Sequence, residues 1–87
     1  MVISSSLYNE KTNDVVIIAV TSKVEKSYDV GECHIADWQS AGLLKPSAVK
    51  PAISTIEQVL VLKKLGSLSA QDIPLVDLML KALLGLQ

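Results

Sequence analysis

The sequence predicts a mainly β fold that ends in a helix: a small, strongly curved antiparallel sheet or partly open barrel. Three observations carry this. Val15–Val20 is an unbroken, largely β-branched run, and Val59–Leu65 is a second apolar run. Between them, Ser47–Glu57 alternates loosely, with Val49, Ile53 and Ile56 apolar and Lys50, Ser54 and Glu57 polar. Only the last stretch, Pro74 to Leu86, spaces its apolar residues as a helix does. A chain of 87 residues holds one small domain, spanning 1–87. It is 49% hydrophobic but only 3% aromatic, so its core is built from Val, Ile and Leu. With 20% charged residues and a net charge of −1, disorder is excluded.

Taken in order, Met1-Val2-Ile3 reads as the tail of a strand, and Ser4–Asn13 as a polar connector rich in turn formers. Val15–Val20 can be a strand buried on both faces, which places the Thr21 and Ser22 hydroxyls at its C-terminal end. Lys23–Tyr28 is a charged linker, and Tyr28–His34 a short strand interrupted at Gly31. Ile35–Gly42 fits one helical turn with Gly42 as its C-cap, and Leu43–Pro46 a turn. Pro51 demotes its part of Ser47–Glu57 to an edge or a bulge. Val59–Leu65 is expected as a strand, turned by Gly66. Ser69 or Asp72 can cap the final helix, with Pro74 in its first turn. That helix carries two stripes: Val76, Met79, Leu80 and Leu83 on one, Leu75, Leu78, Ala82 and Leu86 on the other. Such a helix is pinned between its own sheet and a second surface, and so much aliphatic surface on a short chain points to a second copy.

Composition narrows the chemistry. All eight basic residues are Lys, so no planar bidentate phosphate clamp exists, and each cation acts as a point charge. The near-neutral balance argues against a non-specific nucleic-acid coat but leaves room for a local Lys patch. Cys33 is alone, which fits a reducing compartment, and Cys33 with His34 is too few ligands for zinc. Neither metal nor cofactor is expected. The longest uncharged run, Val15–Ser22, is far short of the roughly 20 residues of a membrane span. No signal peptide is recognisable, so a cytoplasmic protein without membrane contact is expected.

Several segments resemble a known family. Gly42-Leu43-Leu44-Lys45-Pro46-Ser47-Ala48-Val49-Lys50 is similar to a segment of the MazF/PemK-type toxins of toxin–antitoxin systems. Val16–Ser22, with its Val20-Thr21-Ser22 end, resembles that family's central strand and Thr-Ser corner. Ile3–Asn9 resembles the end of its second strand, and Lys63–Ser69 with the leucine-rich tail its last strand and terminal helix. The segments fall in the family's order. The resemblance implies an SH3-like barrel of the CcdB/MazF/PemK type, a homodimer, a cognate antitoxin, and metal-independent cleavage of single-stranded RNA to a 2′,3′-cyclic phosphate. Family members begin with a strand opening Arg-Gly-Asp, then a long loop and an Arg-Pro pair. This sequence starts after those elements, so the resemblance implies an N-terminally truncated domain. Where some members place Arg, one residue and Asp, this chain has Lys50, Pro51 and Ala52.

By the resemblance, Thr21 and Lys50 are the candidate catalytic residues: Thr21 would donate to a phosphate oxygen and Lys50 would supply positive charge. Ser22, Lys23 and Glu57 are the candidate RNA-binding residues, with Glu57 a possible substitute base. Each also has an ordinary reading. Thr21 can simply cap a turn, Lys23 and Lys50 can be solvated charges, and Glu57 an exposed carboxylate. His34 reads as a surface histidine, Cys33 as a small buried hydrophobe, and Trp38 as a plug at the barrel end. Two functions follow: a ribonuclease toxin whose activity is impaired, or an inactive relative that retains dimerisation and antitoxin binding.

Overall fold

A computed structural model of the chain describes residues 1–23 and 32–86. The expected linker beyond Lys23, and the expected strand Tyr28–His34 with its break at Gly31 up to Glu32, lie outside the described residues. A short helix α1, Ser6–Lys11, precedes strand β1, Asp14–Thr21. Strands β2, Cys33–Ile35, and β3, Ser47–Glu57, follow. A single 3-10 turn, Gln58–Leu60, leads to the terminal helix α2, Asp72–Leu84. The sheet is antiparallel and open, in the order β1–β3–β2.

The Met1–Ile3 tail adds to the outer edge of β1. Val2 bridges Ile17, the Ile3 N–H donates to Val16 O at 2.8 Å, and the Ile18 N–H donates to Met1 O at 2.8 Å. The Met1 ammonium donates to Ile18 O at 2.9 Å, and burial lowers its pKa from the ordinary value. One face of the sheet carries the core: Ile18, Ile35 and Val49 meet Val76 and Met79 of α2, with Met1, Ile3, Val20, Trp38 and Leu43 packed around them.

Four expectations are corrected. The polar connector is helical at its centre, because the Ser5 hydroxyl accepts the Tyr8 N–H at 3.1 Å and so caps α1. β1 is not buried on both faces: Val15 and Ile18 are buried but Ala19 is exposed, since nothing described covers its far face. Pro51 lies in the central strand rather than on an edge strand. It is tolerated because β2 pairs only with Ser47–Val49, and because the β1 register shifts between Ile18 and Val20, opposite Val49–Ile53. Val59–Leu65 is not a strand. It opens as a 3-10 turn and continues irregularly, because no described segment offers it a ladder.

The helix caps also differ from expectation. The N-cap of α2 is Gln71, without a side-chain bond, while the Ser69 hydroxyl accepts the Asp72 N–H at 3.3 Å. The Asp72 carboxylate turns instead to the segment after β2. It accepts the Ala36 and Asp37 N–H groups, each at 2.8 Å, and is 1% exposed. Of the two apolar stripes, Val76, Met79 and Leu80 face the sheet, whereas Leu83 joins Leu75, Leu78 and Leu86 outside.

Candidate nucleic-acid interface

The C-terminal end of β1 brings several of the candidate residues together. Thr21 is the last residue of β1 and pairs with Ala48, while Val20 pairs with Val49. Val20 and Val49 pack in the core, so strand alternation puts Thr21 and Lys50 on the opposite face. The Thr21 hydroxyl oxygen accepts the Lys23 N–H at 3.1 Å, closing a tight turn. Because that bond uses a lone pair, the hydroxyl proton is left to donate elsewhere. Ser22 and Lys23 are exposed just beyond, and Lys50 is exposed on β3.

Glu57 is not part of this group. It pairs with Asp14, at the other end of the eight-residue β1. At roughly 3.3 Å per residue that is about 23 Å from Thr21. His34, by contrast, is in the same row as Thr21. It also pairs with Ala48, so Thr21, Ala48 and His34 lie side by side across the three strands. The Thr21 and His34 Cα atoms are therefore about 10 Å apart, two strand spacings, with an alanine between them. Its neighbour Cys33 is half-buried, and burial followed by the nearby Asp72 charge raises the thiol pKa from its ordinary value.

Sequence reasoning missed the lysines that frame this end. Ser22 shares a concavity of about 650 Å³ with Lys45, Lys63 and Lys64, and no carboxylate lines it. The two glycines flanking it form that concavity. Gly42 has φ +86°, and the closing hydrogen bonds, Gly42 N–H to Gln39 O and Leu43 N–H to Trp38 O, are both 3.0 Å. A Cβ on Gly42 would lie 2.7 Å from the Leu65 carbonyl carbon, and one on Gly66 2.6 Å from that of Ala41. Without side chains, the two backbones come into contact and hold Lys45 near Lys63 and Lys64. The paired glycines, lying between Lys-bearing segments, were the available signal.

Among the described residues, no three His, Cys, Asp or Glu side chains are grouped to hold a metal ion, and no helix is long and apolar enough to cross a membrane. The arrangement offers hydroxyl donors, an imidazole and separated ammonium groups around an open strand end, which suits a phosphodiester backbone.

Comparison with known proteins agrees with this geometry. The fold matches the Mycobacterium tuberculosis toxin MazF-mt6 with a TM-score of 0.83 at 18% identity, covering 100% of this chain and 85% of that one. It matches a mycobacterial endoribonuclease in complex with its cognate antitoxin with a TM-score of 0.83 at 20% identity, covering 100% and 80%. No curated protein sequence matches. A family model described as the PemK-like, MazF-like toxin of type II toxin-antitoxin systems matches residues 1–84. With an open antiparallel sheet, a terminal helix and that match along nearly its whole length, the chain belongs to the PemK-like, MazF-like toxin family.

Proposed function

We propose that this chain is a cytoplasmic endoribonuclease toxin that binds single-stranded RNA across the Thr21 end of its sheet and cleaves it slowly. The observation that supports this best is the Thr21 hydroxyl, fixed by the Lys23 N–H at 3.1 Å with its proton free, beside the lysine-lined concavity. In the reaction, the RNA 2′-oxygen attacks phosphorus and the bond to the 5′-oxygen breaks, leaving a 2′,3′-cyclic phosphate. The Thr21 hydroxyl donates to a non-bridging oxygen as its charge grows, and Lys50 adds positive charge. His34, across Ala48, takes the 2′-hydroxyl proton, and water protonates the departing 5′-oxygen. Ser22, Lys23, Lys45, Lys63 and Lys64 hold the flanking phosphates. Glu57 is too distant to act as base here.

The rate is low for a chemical reason. With no Arg in the chain and Ala52 where some members carry Asp, both a bidentate donor and an acid are missing. One lost preorganised donor costs roughly 10²–10³ in rate. The test is labelled single-stranded RNA at neutral pH in the presence of EDTA. Weak, site-specific cleavage is expected. It should fall about 10²-fold or more in Thr21→Ala and by a similar ~10² in His34→Gln. Cleavage indifferent to Thr21→Ala overturns the assignment.

A second reading is favoured by those same two absences: RNA or antitoxin binding without cleavage. The mycobacterial endoribonuclease matched above is seen with its cognate antitoxin. An acidic antitoxin segment attracted by Lys23, Lys50, Lys63 and Lys64, and a homodimer formed through the outer stripe of α2, belong to both readings. RNA binding by anisotropy with no product on the gel would select the second.

A further inference from the structure

The outer edge of β1 is only partly covered. The Met1–Ile3 tail satisfies Val16 and Ile18, and by the two-residue alternation the next N–H and C=O on that edge belong to Val20. Among the described residues, no backbone hydrogen bond reaches Val20 from that side, and none joins residues 62–68 to any other segment. Between these two unpaired backbones runs a groove of about 740 Å³, lined by Ile17, Val20, Ile35, Leu43, Leu65 and Leu68 with Lys63 and Lys64 at its rim. No carboxylate lines it. Its wall is exposed apolar surface: Leu65 is 59% and Leu62 96% exposed.

We propose that this groove takes an extended strand from a partner polypeptide, antiparallel to β1 and in line with Met1–Ile3, apolar on alternate residues and acidic where it passes Lys63 and Lys64. The free ladder positions call for an extended backbone, since only a strand offers N–H and C=O groups at their spacing. The apolar floor requires alternate apolar side chains, because the other set points to solvent. The two lysines, unopposed by any carboxylate in the lining, select an acidic segment. A second copy of this chain is a poor occupant: its own unpaired extended segment carries Lys63 and Lys64 and would set like charges together. The exposed area has the right scale. The chain exposes 6397 Å², against roughly 5,000 Å² for a compact monomer of its mass. The excess exceeds the roughly 800 Å² that one partner gives to a standard interface. This inference stands apart from RNA cleavage and survives if the chain proves inactive.

The test uses the full chain, isotopically labelled, with a capped six-residue peptide of alternating valine and threonine that ends in two glutamates. The expected result is saturable binding, with slowed amide exchange at Val20 and in residues 62–68. Methylating the peptide's edge-facing nitrogens should abolish that protection. Exchanging its glutamates for lysines, or making Lys63→Ser with Lys64→Ser in the protein, should weaken binding about tenfold at low salt. The proposal is overturned by no protection at peptide saturation or by equal binding of the methylated peptide. It is equally overturned by Val20 protection that grows with protein concentration alone, which would make the groove a self-interface, or by single-stranded RNA protecting Val20 as well as the peptide does.

Discussion

Asp72 is the one charged side chain among the buried residues, and each of its oxygens has a partner. Its Oδ2 also accepts from the Ser69 hydroxyl, which donates to Asp37 Oδ2 at 2.6 Å as well. Replacing Asp72 with alanine leaves the Ala36 and Asp37 N–H groups without an acceptor. The expected loss is about 2–4 kcal/mol, read as a fall in the urea midpoint; Asp72→Asn, which retains one acceptor, should lose about half. Gln58 plays a similar part at the other end. Its side-chain amide donates to the carbonyls of Asn9, Thr12 and Asp14 at 2.6, 3.2 and 3.1 Å, tying α1 to β1. Cys33 gives a check on electrostatics. Its raised pKa means less thiolate near neutrality, so it should alkylate more slowly than free cysteine. Because burial is the larger cause, Asp72→Asn should speed that reaction only slightly unless the fold loosens. Alkylation at the free-cysteine rate would contradict the described packing.

At the level of elements, the glycines separate two effects. Gly85 has φ +71° and open space around its missing side chain, so Gly85→Ala should lose only about 1 kcal/mol, the left-handed penalty. Gly42 shares the positive φ but also touches the Leu65 carbonyl, so Gly42→Ala should lose more and displace residues 61–68. Thermal melts of the two variants rank them. The same elements show what was legible in the sequence. β1 was readable because a β-branched run states its own preference, and the Gly42 closure because a helical turn needs a left-handed residue there. Val59–Leu65 was misread because strand formation depends on a neighbour, and no single segment encodes whether one is present. α1 was missed because six residues with no buried side chain leave no apolar stripe, only the Ser5 cap. In the candidate site, Thr21, Ser22, Lys23 and Lys50 could be picked from local motifs. The row that includes His34 and the concavity around Lys45 arise from strand register and a glycine contact, which no motif spells out.

The molecule as a whole is looser than its length requires. Its radius of gyration is 13.1 Å, against about 12 Å for a compact chain of this size. The outward side chains Leu62, Leu78, Leu84 and Leu86, all more than half exposed, account for much of the apolar surface. Isolated, the protein should associate through α2: light scattering behind a sizing column should give a dimer or larger, and Leu78→Glu should shift it towards monomer. A monodisperse 9.3 kDa species at micromolar concentration would contradict this.

The Asp72 clamp has a further consequence, in time rather than in energy. It joins residues 35 and 36 positions apart in the chain, whereas β1 and β3 form a long continuous ladder. α2 meets the sheet mainly through Val76, Met79 and that one carboxylate. A contact that closes a long loop for few partners forms late and opens early. Native-state hydrogen exchange should therefore find α2 opening as a unit at lower free energy than the β1–β3 pair. The helix would behave as a hinged cover that samples release while the strands beneath it stay paired.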